Sequence, residues 1–166
     1  DVGDCLFGAL ELRTSKRTAF IAPANYATMG FGVPGAIGAA VADPKRQVLC
    51  IVGDGGFQMT GMEVITAKKL GVNPIYVVMN NGQYLTLKIM APNLKSTTIP
   101  RVDYAGFANL LGGRGYAIHT REEFRRALQD AKRQRDFSIL DVRLAPDDVA
   151  PIVSRLSRAM GKRLRG

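Results

Sequence analysis

A carboxylate and an amide stand at the ends of two consecutive apolar runs. Asp54 lies in Gly53-Asp54-Gly55-Gly56, directly after "QVLCIV" (Gln47 to Val52). Asn80 and Asn81 directly follow "PIYVVM" (Pro74 to Met79). A polar group at the exit of a buried strand is costly unless it meets a cation or hydrogen-bond donors. The glycines flanking Asp54 let the backbone turn sharply and aim N–H groups at a ligand, and a helix starting soon after suits phosphate. This loop therefore offers donors for a phosphate and one hard anionic oxygen for a metal. Asn81 adds an amide oxygen, and the Gln83 carbonyl, two residues on, adds a backbone oxygen. With phosphate oxygens and water these reach the roughly six oxygen ligands of a Mg²⁺ shell, and Ca²⁺ also fits. Zn²⁺ does not, because no His or Cys is placed to help.

Each signal alone has an ordinary explanation. A lone Asp-Gly is most often a turn, and Asn-Asn-Gly is most often a turn or a cap. A helix-length segment rather than a pairing strand follows Asp54, which argues against a hairpin there. The two signals together, after successive buried strands, point to a site.

The elements that must hold these residues can be read along the chain. "TAFIA" (Thr18 to Ala22) predicts a short strand, and "MGFGVPGAIGAAVA" (Met29 to Ala42) a tightly packed glycine-rich helix. Gln47 to Val52 is a buried strand. Met59, Met62 and Ile65 recur at helical spacing, and that helix closes at Leu70-Gly71. Pro74 to Met79 is the next buried strand, followed by an irregular or helical stretch over Tyr84 to Met90 and a loop through Pro100. Asp103 caps a helix over Tyr104 to Leu111. Gly115 to His119 is a brief strand. Thr120 and Glu123 form a capping box for a basic helix. Phe137 to Leu144 is a strand, and a last helix runs from Pro151. Apolar strands alternating with helices predict an α/β fold, doubly wound, with a mostly parallel sheet and helices on both faces. In such sheets ligands bind beyond the C-terminal ends of the strands, where Asp54 and Asn81 both lie.

The chain has 166 residues and is 46 % hydrophobic, which fits one domain with a full core. No apolar run is long enough to cross a membrane. The formal net charge is +9. Much of it falls in Arg121 to Arg135 and Arg155 to Arg165. Phe124, Ala127, Leu128 and Ala131 mark an apolar stripe in the first segment, and Ile152, Val153, Leu156 and Met160 in the second. The arginines therefore belong to solvated helix faces, and no aromatic stacking set points to nucleic acid. Cys5 and Cys50 have no metal or redox spacing, Cys50 reads as a small buried hydrophobe, and a cytoplasmic setting is expected. The lone His119 reads as structural.

Gly-Asp-Gly, a spacer over Gly56 to Met79, and Asn-Asn resemble the diphosphate-anchoring motif of thiamine diphosphate enzymes. "DVGD" (Asp1 to Asp4), "MGFGVPGAIGAA" and "GDGGFQMTGMEV" extend the resemblance over nearly the whole chain. It is closest to the branch holding pyruvate and indolepyruvate decarboxylases, benzoylformate decarboxylase and acetolactate synthase. The resemblance implies thiamine diphosphate and Mg²⁺ as cofactors, with Asp54, Asn81 and the Gln83 carbonyl as metal ligands. It implies that Gly53, Gly55, Gly56, Phe57 and Tyr84 belong to the cofactor site, with backbone donors from Gly55, Gly56 and Phe57 on the diphosphate. Met29 would be the bulky residue that bends the cofactor into a V, and the Ala27 carbonyl would accept from its aminopyrimidine. The implied substrate is a 2-oxo acid, and the implied assembly a homo-oligomer without membrane or nucleic-acid partners.

The resemblance also sets limits. The activating glutamate of the family sits in a separate pyrimidine-binding domain, usually of a neighbouring subunit, so no catalytic residue is expected in residues 1–166 and the chain alone is expected to be inactive. "DVGD" begins where a family strand ends, which leads us to expect a C-terminal fragment of a longer enzyme, with a natural separate subunit as the other option. Asp4 stands where relatives place a Thr or Gln near the diphosphate. "YLTLK" (Tyr84 to Lys88) lacks the acid of pyruvate decarboxylase-like enzymes. Leu85 and Leu87 are candidates to face substrate. An acetolactate synthase-like carboligase is the near alternative. A dinucleotide-binding Rossmann domain, loosely imitated by "GFGVPG", and a non-catalytic binding module are the distant ones.

Overall fold

The computed structural model describes residues 1–16 and 19–155. Four parallel strands form one sheet: β1 (Leu49–Gly53), β2 (Ile75–Asn80), β3 (Arg114–Ile118) and β4 (Ser138–Arg143). Their order is β1-β2-β4-β3. The register sets Gly53 beside Met79, and Asn80 beside Arg143. All the strands therefore deliver their following residues to one edge.

Helices cover both faces, as the apolar strands predict. Alternate residues of each strand serve opposite faces. Tyr76, Val78 and Ile139 enter one core with Val33, Phe57, Val64, Ala67 and Ala108, which come from α2 (Gly32–Ala42), α3 (Asp54–Thr60), α4 (Val64–Leu70) and α6 (Tyr104–Leu110). Ile75, Val77 and Leu140 enter the other with Ala127 and Ala131 of α7 (Arg121–Ala131). Two further helices are α1 (Asp4–Ala9) and α5 (Leu85–Met90).

Local chemistry explains the boundaries. Thr120 accepts from the Glu123 amide and the Glu123 carboxylate accepts from the Thr120 amide, so the capping box at α7 is formed. The Asp103 side chain accepts from the Gly106 amide at 2.9 Å and starts α6. Gly71, at φ 66°, ends α4 in the left-handed region that glycine tolerates. Gly115 lies so close to α6 that an added Cβ would sit 1.9 Å from the Ala105 carbonyl oxygen.

Three expectations need correction. Ala19–Ala22 form no strand, and Thr18 lies outside the described residues. Phe20 and Ile21 are exposed. An apolar run becomes a strand only with a ladder to join, and the sheet ends at β1. Second, the helix predicted across Met59, Met62 and Ile65 is divided by a 3₁₀ turn, Gly61–Glu63, and those three residues are exposed. The packed face is instead Phe57, Gly61, Val64 and Ala67. Gly61 is required there, since a Cβ would meet the Phe57 ring at 2.5 Å. Third, the glycine-rich helix starts at Gly32 rather than Met29. Residues 151–155 are helical, and the rest of the predicted last helix, with Leu156 and Met160, lies outside the described residues.

Candidate cofactor site

The exits of β1 and β2 meet at Asp54. Its carboxylate is 1 % exposed. One oxygen accepts from the Gly55 amide at 2.9 Å, and the other from the Gly82 amide at 2.6 Å. The second bond joins the two glycine-rich loops directly. Burial pushes the Asp54 carboxyl above the ordinary aspartate range, while the Gly82 and Gly55 amides and the Arg101 charge pull it back down. A cation beside this carboxylate would favour its ionised form.

The second loop is ordered by its carbonyls. The Asn80 carbonyl accepts from the Leu144 amide at 3.1 Å, and the Gly82 carbonyl from the Ile99 amide at 3.0 Å. The Asn81 carbonyl accepts from Arg101 at 3.3 Å. Among the described residues no donor meets the Gln83 carbonyl. Of four consecutive carbonyls, the one left over is the one that sequence reasoning assigned to a metal. The Asn81 side-chain oxygen accepts from the Gln83 amide at 3.0 Å, which folds the loop into a tight turn. Gly82 adopts φ 71°, a conformation that favours glycine.

Asp54, Gly55, Gly56, Phe57 and Asn81 are thus brought together and buried, with Gly53, Gln83 and Tyr84 partly exposed beside them. Tyr84 crosses to the first loop: a Cβ on Gly55 would lie 2.3 Å from its ring. Gly56 packs against Asp1, whose carboxylate lies 3.1 Å from where a Cβ would be. The Phe57 side chain anchors the first loop in the core, edge-on to Tyr104 with centroids 5.1 Å apart. Ala27 and Met29 stand apart from this cluster. Their segment is tied to the far end of α3, where Thr60 donates to the Gly30 carbonyl at 2.7 Å. Ala27 is exposed and is the sole non-glycine residue at positive φ among the described residues, at 50°. Residues held in such conformations cluster at active sites, ligand clamps and switch regions.

Asp4 turns away from a phosphate role, as its carboxylate accepts from the Ala150 amide at 3.0 Å. His119 is exposed, and its backbone amide donates to Glu123. A cavity of about 570 Å³ between α1, α2 and β1 has neither Asp54 nor Asn81 in its lining.

Sequence reasoning missed the support behind the loops. Asp141 of β4 is fully buried and accepts from the Asn80 side chain at 2.8 Å and the Tyr104 amide at 3.1 Å. Arg143 pairs with it at 2.7 Å. The Asn80 side-chain nitrogen, which also donates to the Val102 carbonyl at 3.0 Å, is therefore committed to this support, while its side-chain oxygen is buried without a hydrogen-bond partner among the described residues. The signal was present: an aspartate inside "SILDVR" sits in an otherwise apolar buried strand.

The fold and the motif agree with a known family. Residues 1–142 match the family model described as "Thiamine pyrophosphate enzyme, C-terminal TPP binding domain". The chain belongs to this family. Among curated proteins it is 38 % identical over 131 residues to an indole-3-pyruvate decarboxylase of Azospirillum brasilense, covering 79 % of this chain and 24 % of that protein. It is 34 % identical over 154 residues to a putative acetolactate synthase large subunit of Mycobacterium tuberculosis, covering 89 % and 28 %. Among solved structures, a thiamine diphosphate-dependent 4-hydroxybenzoylformate decarboxylase of Rhodococcus jostii superposes with a TM-score of 0.67 at 31 % identity, covering 72 % of this chain and 24 % of that one. The chain thus spans about a quarter of the length of these relatives.

As a thiamine diphosphate-binding domain of this family, the chain is not a dinucleotide-binding Rossmann domain. The geometry agrees: "GFGVPG" opens α2 ahead of β1, whereas the dinucleotide fingerprint follows the first strand. The residues present also fit a hard divalent cation. Among the described residues no cluster of His, Cys, Asp or Glu could hold a metal alone. A cation here would rest on one carboxylate, an amide oxygen, a carbonyl and the diphosphate itself.

Proposed function

We propose that this chain is the diphosphate- and Mg²⁺-binding part of a 2-oxo acid decarboxylase. The observation that carries the reading is the Asp54 carboxylate bonded to the Gly82 amide beside a Gln83 carbonyl without a donor. Asp54, Asn81 and Gln83 then hold the metal through oxygen. Backbone amides of Gly55, Gly56 and Phe57 hold the diphosphate, Gly53 sets the turn into them, and Tyr84 braces the loop. Met29 and the Ala27 carbonyl position the cofactor's rings. Bound there, thiamine diphosphate supplies the electron sink for the charge released on loss of CO₂.

In this reading the chain's residues bind and orient, and the activating glutamate comes from a pyrimidine-binding domain of the same or a neighbouring chain. Phe31, just before α2, and Val41, Met59, Met62 and Ile65, on α2, α3, α4 and the 3₁₀ turn between the last two, are exposed apolar residues. They supply the surface for a homo-oligomeric contact. Cys5 and Cys50 are free thiols that burial pushes up to about 12 and about 11, which keeps them protonated and unreactive.

A carboligase of the acetolactate synthase kind is the second reading. The stretch Tyr84 to Lys88 favours it, since it carries no acid and Leu87 within it is 51 % exposed.

Calorimetric titration of the chain with thiamine diphosphate, with and without Mg²⁺, tests the site. Mg²⁺-dependent binding that Asp54→Ala abolishes is expected, with NAD giving no heat. Binding that ignores Mg²⁺, or that survives Asp54→Ala, overturns the assignment.

A further inference from the structure

We propose that Arg101, outside the diphosphate motif, is a positioning residue that fixes the Asn81–Gln83 loop in the geometry Mg²⁺ demands. The proposal rests on the metal reading above. One Arg101 nitrogen donates to the Asn81 carbonyl at 3.3 Å and to the Leu144 carbonyl at 2.7 Å. It therefore ties the loop after β2 to the segment after β4. The arginine stem lies against the turn itself. A Cβ on Gly82 would meet Arg101 Cγ at 3.2 Å and Nε at 3.3 Å.

The strand-like contact beside it completes the clasp. The Tyr84 amide donates to the Thr97 carbonyl at 2.8 Å and the Ile99 amide to the Gly82 carbonyl at 3.0 Å. Segment 97–101 thus runs antiparallel along residues 82–84. It occupies the Gly82 carbonyl with a backbone donor and the Asn81 carbonyl with a side chain. Arg101 is the part of this clasp that a substitution can remove.

Charge and geometry act in opposite senses on a metal. A guanidinium near a dication repels it, so removing the charge favours any divalent ion. Fixed geometry matters much more to Mg²⁺, which requires near-ideal octahedral ligands, than to Ca²⁺, whose shell is flexible. The ratio of Mg²⁺- to Ca²⁺-supported binding cancels the charge effect and isolates the positioning.

The experiment is calorimetric titration of the chain with thiamine diphosphate in Mg²⁺ or in Ca²⁺, for wild type, Arg101→Lys and Arg101→Met. Arg101→Lys keeps the charge on a shorter, non-planar head. Both variants are expected to lower the Mg²⁺-to-Ca²⁺ affinity ratio about 10-fold, the lower end of what support of a metal ligand contributes. Lys68→Met, which removes a lysine bonded to the Gly112 carbonyl at 2.7 Å, should leave the ratio unchanged. Equal shifts in the two ions, or none, overturn the proposal, and Arg101→Lys suffices if Arg101→Met does not fold. A wild type that binds with no dependence on either ion overturns the metal reading itself, and the proposal with it.

Discussion

The two edges of the sheet handle polarity in opposite ways. The C-terminal edge buries Asp54, Asn80, Asn81 and Asp141, none more than 8 % exposed. Apart from the buried Ser138 at the start of β4, the N-terminal edge closes with solvated contacts. Lys68 pairs with Asp136 at 2.9 Å with side chains 41 % and 46 % exposed. Gln47 donates to the Asn73 carbonyl, and Asn73 to the Gln134 carbonyl, each at 2.9 Å. Burying a polar group costs free energy unless every lone pair and proton finds a partner, whereas an exposed pair is nearly neutral. Costly polarity is thus concentrated where two loops must be held in one geometry.

The sharpest way to break this comparison is at Asp141. Asp141→Ala leaves the Tyr104 amide buried without an acceptor and Arg143 with the longer Asp103 contact at 3.9 Å in place of its 2.7 Å partner. Loss of a buried, bonded carboxylate should destabilise the chain by about 3 kcal/mol, measured by urea unfolding. A loss below about 1 kcal/mol would place Asp141 with the solvated contacts.

At the opposite edge the same measurement should give little. Lys68→Met removes an ion pair and a bond to the Gly112 carbonyl, both exposed. The expected cost is about 0.5 kcal/mol and shrinks as salt is added. A larger, salt-insensitive loss would mean that this edge also depends on buried polarity.

The contrast also explains what the sequence made legible. Strands, their order of burial and the Asp54–Asn81 pair follow from local pattern, because apolar runs and glycine-flanked polar residues carry their meaning in a short window. The capping box at Thr120 is as local. Arg101 and Asp141 were missed because each acts on residues far away in sequence: Arg101 reaches Asn81 and Leu144, and Asp141 reaches Asn80 and Tyr104. The Phe20–Ile21 run misled for the same reason, since a strand exists only through its neighbour. The outward-facing Met59, Met62 and Ile65 show that period alone marks a helix face without saying what covers it.

Asp4 lies between the two regimes and gives the smallest effect. It is half-buried and accepts from the Ala150 amide at 3.0 Å. Burial raises its pKa, the Ala150 bond lowers it, and the Asp148 charge raises it further, with a net upward direction. A carboxyl with a raised folded pKa favours the folded state most when protonated. Its contribution is complete below the unfolded carboxylate range and is lost as pH rises through the folded value. Asp4→Asn keeps an acceptor for Ala150 and removes the ionisation. The stability of the Asn variant relative to wild type should therefore increase as pH rises through the carboxylate range, then level off, in urea unfolding across pH. A difference that runs the other way would mean that the Ala150 amide outweighs burial, and that Asp4 is held as an ionised partner of the C-terminal edge.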